Sequence, residues 1–219
     1  MNYSEALSFT FQDKDWLKKT AIGGFCVFIA VFTGLFFFVG FFAIGYYLAV
    51  LRNVIHGEEK ILPDWDGNWG KFFADGLMGA IIMLINFLVV GGLGAIVIVG
   101  LATSSDLADY EMVLGIVFTA ISIAICLIVT TNLCFMQFAK TNDFAAAFRV
   151  AEIANSLKND FGNFFTIVIF ASILNAILFL AGLGIFSPFT NFWGYLVQAH
   201  LFGQYAGRAR TAAPVIQSA

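Results

Sequence analysis

The sequence predicts an all-α polytopic integral membrane protein, a helical bundle of five to six membrane segments with interfacial amphipathic segments between them. Three observations carry this expectation. Hydrophobic residues make up 60% of the 219 residues and charged residues only 11%, against about 25% charged in a soluble domain. No Asp, Glu, Lys or Arg occurs in 20–51, 76–105, 112–139 or 161–207. Each of these stretches can cross a bilayer, which takes roughly 20 helical residues. Polar connections separate them, and the one at 52–75 carries Trp65 and Trp69, as expected where a chain meets the membrane–water boundary.

The whole chain, 1–219, reads as one membrane domain. Residues 1–20 place Tyr3, Leu7 and Phe11 at helical spacing and reach Trp16. This stretch mixes acids with lysines and has no small-residue cleavage site, so it reads as an interfacial piece of the mature protein. The run 21–51 would be about 46 Å long as one helix, against a hydrocarbon core of roughly 30 Å. Gly34 and Gly40 offer turning points. A short or re-entrant hairpin puts all eleven basic residues on one side, whereas a single crossing separates Lys14, Lys18 and Lys19 from the rest. Basic residues concentrate on the cytoplasmic side, which favours the hairpin; one tilted helix is the alternative.

Residues 61–76 follow. Trp65, Trp69, Phe72 and Phe73 share helical spacing, and such rings rest among lipid headgroups. Residues 77–101 make the next span. The loop 102–111 holds only acids, Asp106, Asp109 and Glu111, and leads to the span 112–139. Residues 142–160 are again interfacial, with Phe144 and Phe148 on one stripe and Phe161 at the exit. The stretch from 163 onward would reach about 66 Å as one helix. Ser187-Pro188 divides it into 163–186 and 189–207, since proline starts helices well. A tail, 208–219, carries Arg208 and Arg210.

Three entries rhyme: Asp15-Trp16, Asn68-Trp69 and Asp160-Phe161. So do three exits, Leu51-Arg52, Ala139-Lys140 and Gly207-Arg208. The pattern fits a threefold repeat of interfacial segment plus hairpin, although membrane composition alone produces part of it.

Gly45-Tyr46, Leu51-Arg52, Gly57-Glu58, Leu62-Pro63-Asp64-Trp65 and Asp75-Gly76 together resemble the prokaryotic membrane-protein family described as domain of unknown function 4013. The resemblance is strongest over 15–80. It implies a multi-pass protein of the cytoplasmic (inner) membrane, with both termini cytoplasmic by the charge argument, and it implies no reaction.

The residues offer little chemistry. No catalytic constellation, metal-ligand spacing or basic tract for nucleic acid is present, so no enzyme is expected. The cysteines Cys26, Cys126 and Cys134 lie in apolar runs and read as small hydrophobes. Intramembrane His200, with Ala199 and Gly203 to make room, is the one candidate cofactor ligand, for haem or chlorophyll; the simpler role is a hydrogen bond to a neighbouring helix. Asn86, Asn132, Gln137, Asn175, Gln198 and Gln204 either line a path or join helices. The leading expectation is a scaffold or accessory subunit packing against lipids, other membrane proteins or itself, with bound lipid and no required cofactor. The alternatives are a small-molecule or lipid transporter, and a pigment- or haem-binding subunit. They differ in one respect that a structure can show: a transporter converges its polar residues on one cavity.

Overall fold

In the computed structural model, which describes residues 1–34, 37–104 and 109–211, three helical pairs follow one another. The turn residues 35–36, the acidic loop 105–108 with Asp106, and the tail from 212 lie outside the described residues.

A short helix α1 (Tyr3–Ser8) starts where the Asn2 side chain accepts a hydrogen bond from the Glu5 N–H at 3.1 Å. A 3-10 turn at Phe9–Gln12 leads to α2 (Trp16–Thr33). The chain then turns at Gly34, whose φ is +57°. After a second 3-10 turn, Phe37–Val39, comes α3 (Gly40–His56). The run 21–51 is therefore two helices. At 1.5 Å per residue each is about 25–27 Å long, short for a bilayer crossing. Gly57 ends α3 in the left-handed region, φ +70°. Its N–H and that of Glu58 return to the Val54 and Asn53 carbonyls at 3.2 and 2.9 Å, a Schellman cap that a residue with a Cβ disfavours.

The second pair is α4 (Trp69–Ala102) and α5 (Asp109–Thr141). The expected interfacial segment 61–76 is thus divided. Residues 69–76 are the first two turns of α4, because nothing in Trp69-Gly70-Lys71-Phe72 stops a helix. A 3-10 turn at Ala145–Phe148 precedes α6 (Val150–Ala181), which breaks from helical geometry at Asp160 (φ −152°, ψ 47°). This kink separates the interfacial part from the membrane part at the expected entry. The last turn falls at 182–186, and α7 (Ser187–Thr211) opens with Pro188 in its first turn, where its missing N–H costs nothing.

Among the described residues, five helices are long and apolar enough to cross a membrane: Trp16–Thr33, Phe37–His56, Trp69–Ala102, Asp109–Thr141 and Asp160–Ala181. The fold is an all-α polytopic bundle. The expected segment 189–207 is a helix too, but a different kind. Thr190, Asn191, Gln198, His200 and Gln204 make α7 more polar than the five. It can be so because it packs against α1, α2, α3, α5 and α6, which bury much of 191–206.

The core lies toward the end of the bundle that carries the charges. Ala43 and 45–51 of α3, Asn132–Ala139 of α5 and much of 191–206 in α7 are buried. The far half of α5, from Asp109 to Thr131, has no buried residue among those described. Ion pairs and hydrogen bonds at the charged end bring together the N-terminal segment, the 57–68 connection, the start of α4 and the ends of α5 and α7.

Candidate functional site

Two clusters stand out, and they do different things. The first gathers the family-like residues. α3 and α4 cross with backbones in contact: a Cβ on Gly45 would lie 1.8 Å from the Phe72 carbonyl oxygen, and one on Gly76 1.7 Å from that of Phe41. Glycine is required on both sides of this crossing. Tyr46 stacks on Trp65 with ring centroids 4.6 Å apart, and its hydroxyl donates to the Pro63 carbonyl at 3.0 Å. Trp65 Nε1 donates to the Lys19 carbonyl at 3.0 Å. Lys19, only 4% exposed, returns its ammonium to the Leu62 carbonyl at 3.1 Å and to Asp13 and Asp64 at 2.6 and 2.9 Å. Arg52 pairs with Asp75 at 2.8 Å and donates to Asn142 Oδ1 at 2.8 Å, tying α3 to α4 and to the residue after α5. Hydrogen bonds from Lys60, then Lys19, hold the Asp64 carboxyl well below its ordinary value, at about 2.

Gly45, Tyr46, Arg52, Gly57, Pro63, Trp65, Asp75 and Gly76 therefore build a joint. They present no reactive group to a cavity. Two expected membrane-facing rings are corrected here. Trp65 and Phe72 are 2% and 1% exposed and pack on Tyr46, Trp65 because the 57–68 connection folds back over α3, and Phe72 because the close crossing at Gly45 brings the start of α4 against α3. Of the other expected interface rings, Trp69 and Phe161 are exposed, and Trp16, Phe73, Phe144 and Phe148 are half-buried.

His200 is 1% exposed and stacks on Phe9 at 4.5 Å. Gln204 Nε2 lies 3.1 Å from its Nδ1. The room expected at Gly203 is filled by Val54, whose Cβ would be 2.6 Å from an added Cβ, and Ala199 is fully buried. Its polar partner Gln204 lies on α7 itself, not on a neighbouring helix, and with His56 the histidine lines a further cavity of about 600 Å³ at the charged end.

The second cluster is a cavity of about 740 Å³. All six long helices line it, through residues such as Val27, Ala43, Met83, Ile128, Val168 and Phe192. At its polar floor, Asn132 Oδ1 accepts from Gln198 Nε2 at 2.8 Å and from the Tyr47 hydroxyl at 3.3 Å. One node thus joins the second helix of each pair. Asn132 Nδ2 donates to the Ile128 carbonyl at 2.7 Å. Asn175 and Tyr195 also face the cavity, and on its wall Thr131 accepts from Asn86 Nδ2 at 2.7 Å. Among the described residues, no charged one lines it.

Sequence reasoning named Asn132, Asn175 and Gln198 but could not bring them together, and it passed over Tyr47. The available signal was a second tyrosine in an apolar run, followed one helical turn later by Leu51-Arg52. Gln137 is buried away from the cavity lining, and Gln204 lies at the charged end, donating to the Asn2 carbonyl at 3.3 Å.

No curated protein and no solved structure matches the chain. A family model described as "Protein of unknown function (DUF4013)" matches residues 28–187, which takes in the crossing, the whole joint after Lys19 and most of the cavity wall; the chain belongs to that family.

Proposed function

We propose that this protein holds a lipid-class molecule, an apolar body with a polar group, in the cavity between its three helix pairs and moves or presents it within the membrane without reacting with it. The observation that carries this reading is the convergence of Tyr47, Asn132 and Gln198, from three different helices, on one largely apolar cavity. Pockets that bind small molecules have this make-up, apolar walls with a few placed polar groups, and a volume of roughly 300–1,000 Å³. Hydrogen bonds between helices need no cavity beside them.

The scaffold role has a feature in its favour: α4 beyond Asn86 and α5 before Thr131 expose apolar side chains over most of their surface. Lipid solvates such a surface equally well, so the cavity weighs more. The gathering of Lys18, Lys19, Arg52, Lys60 and Arg149 at one end supports a cytoplasmic orientation for that end.

The test compares the protein with its Ser172→Phe variant, which adds a ring to the cavity wall. Both are purified in mild detergent, and their organic extracts are compared by mass spectrometry. Near-stoichiometric retention of one lipid class by the wild type, reduced several-fold in the variant, supports the reading. Equal retention of all membrane lipids by both proteins refutes it.

A further inference from the structure

We infer that the polar group of the bound molecule is an uncharged hydrogen-bond donor, a hydroxyl or an amide N–H, and that it docks between Asn175 of α6 and Gln198 of α7. This rests on the cavity being the binding site.

The first argument is charge. None of the residues lining the cavity is ionisable at neutral pH with a charged form to offer an ion. A carboxylate, phosphate or ammonium brought there would lose its water and find no counter-charge, a cost that uncharged polar groups largely escape.

The second argument is the direction of the missing hydrogen bond. Asn175 Nδ2 donates to the Ala171 carbonyl at 2.8 Å. Its Oδ1 is buried and has no partner. Buried polar atoms are almost always satisfied, and an orphan acceptor calls for a donor. Gly194 of α7 stands opposite; a Cβ there would lie 2.6 Å from Asn175 Oδ1, so glycine leaves this oxygen its space. Gln198, one helical turn beyond Gly194, uses its amide N–H on Asn132. Asn132 Oδ1 already takes two donors. Asn175 Oδ1 is thus a buried acceptor without a donor, whereas the amide nitrogens of Asn132, Asn175 and Gln198 each have at least one N–H engaged.

The third argument is size. At ~30 Å³ per water-sized group, 740 Å³ holds a molecule of about 20–30 non-hydrogen atoms. That suits a small head with one chain.

The experiment uses four probes with the same sixteen-carbon chain: hexadecanol, hexadecanamide, palmitate and the hexadecyltrimethylammonium ion. Purified full-length protein in mild detergent is given all four in equal amounts, and bound adducts are counted by native mass spectrometry. The alcohol and the amide should exceed the two ions by at least about tenfold, the discrimination expected of a site built around unpaired polar groups. Asn175→Leu should lower binding of the alcohol and the amide several-fold and so narrow that ratio, while the ions, still without a counter-charge, stay weak. Asn175→Asp should raise binding of the ammonium probe several-fold, a gain that a misfolded variant cannot produce. Palmitate or the ammonium ion binding the wild type as well as the alcohol does would overturn the inference while leaving the cavity reading intact. An unchanged preference in both variants would overturn the assignment to Asn175. Failure of every probe to bind would overturn the cavity reading itself.

Discussion

Replacing Gly45 with alanine tests whether the family-like residues are a joint. The added methyl would sit 1.8 Å from the Phe72 carbonyl oxygen, at least 1.2 Å closer than side-chain carbons approach other atoms. The obstacle is backbone, so no rotamer change relieves it. α3 and α4 must move apart by more than about 1 Å, across a face that also packs Tyr46 against Phe72. Overpacking of this kind costs ~1–3 kcal/mol, and an obstacle without rotamers belongs at the upper end. Alanine returns up to ~1 kcal/mol as the better helix former, leaving a net loss of about 2 kcal/mol. Gly76→Ala meets the Phe41 carbonyl at 1.7 Å and should behave alike. Gly92→Ala and Gly100→Ala are the controls, since nothing lies within 4 Å of either added methyl; both should be neutral or slightly stabilising. The assay is unfolding by sodium dodecyl sulfate in mild-detergent micelles, followed by tryptophan fluorescence, to which buried Trp65 contributes. If Gly45→Ala and Gly76→Ala unfold within about 0.5 kcal/mol of wild type, a difference smaller than a single ordinary substitution makes, the account of the crossing is wrong.

Two further outcomes follow from the charged end. Arg52 and Asp75 are mostly covered, with side chains 14% and 15% exposed, so Arg52→Met or Asp75→Asn alone should cost about 2 kcal/mol, less than the ~3–5 kcal/mol of a fully buried pair. The double variant should lose at least ~1 kcal/mol less than the sum, as coupled neighbours do; strict additivity would show that the pair is not an interaction. Asp64 is held at about 2, below its ordinary 3.8, chiefly by its hydrogen bond from Lys60 and then that from Lys19. Its folded value is the lower one, so its stabilisation is present above about pH 4 and is lost as the pH falls toward 2. Because Asp64 is half-exposed, the effect should stay below ~1 kcal/mol. Unfolding midpoints of wild type and Asp64→Asn should therefore converge across that acidic window, and a gap that persists to pH 2 would exclude this carboxylate as the cause.

The parts of this fold that the sequence makes legible are those governed by the membrane. The hairpin in 21–51 is legible because length and basic residues both answer to the bilayer. The three entries are legible because Trp16 and Trp69 begin helices and Asp160 breaks one. The illegible parts are governed by protein–protein contact inside the bundle. Trp65 and Phe72 carry the same local signal as Trp69, yet the fold-back of 57–68 over Tyr46 turns Trp65 inward and the α3–α4 crossing buries Phe72. Spacing along one helix cannot report which neighbour will cover a ring. Asn132, Asn175 and Gln198 lie up to 66 residues apart, and their meeting depends on three helix pairs closing around a common space.

Hydropathy itself contains a clue to that space. The far half of α5 has no described residue hidden from the surroundings and no charge between Met112 and Ala139, whereas α7 is wrapped by five other helices and is dotted with amides and hydroxyls. Lipid cannot satisfy a polar group, so a helix facing it must be apolar throughout. A helix surrounded by protein is released from that demand and can spend positions on Gln198, Thr190 and Gly194. In a membrane chain the least apolar helix is therefore the one to examine for a binding site, because a polar group on a lipid-facing helix would be a cost with nothing to offset it. Here α7 contributes Gln198 to the floor of the cavity and Gly194, whose missing side chain leaves Asn175 Oδ1 its place. The two features that define the proposed docking point lie one helical turn apart on the helix that sequence hydropathy ranks lowest.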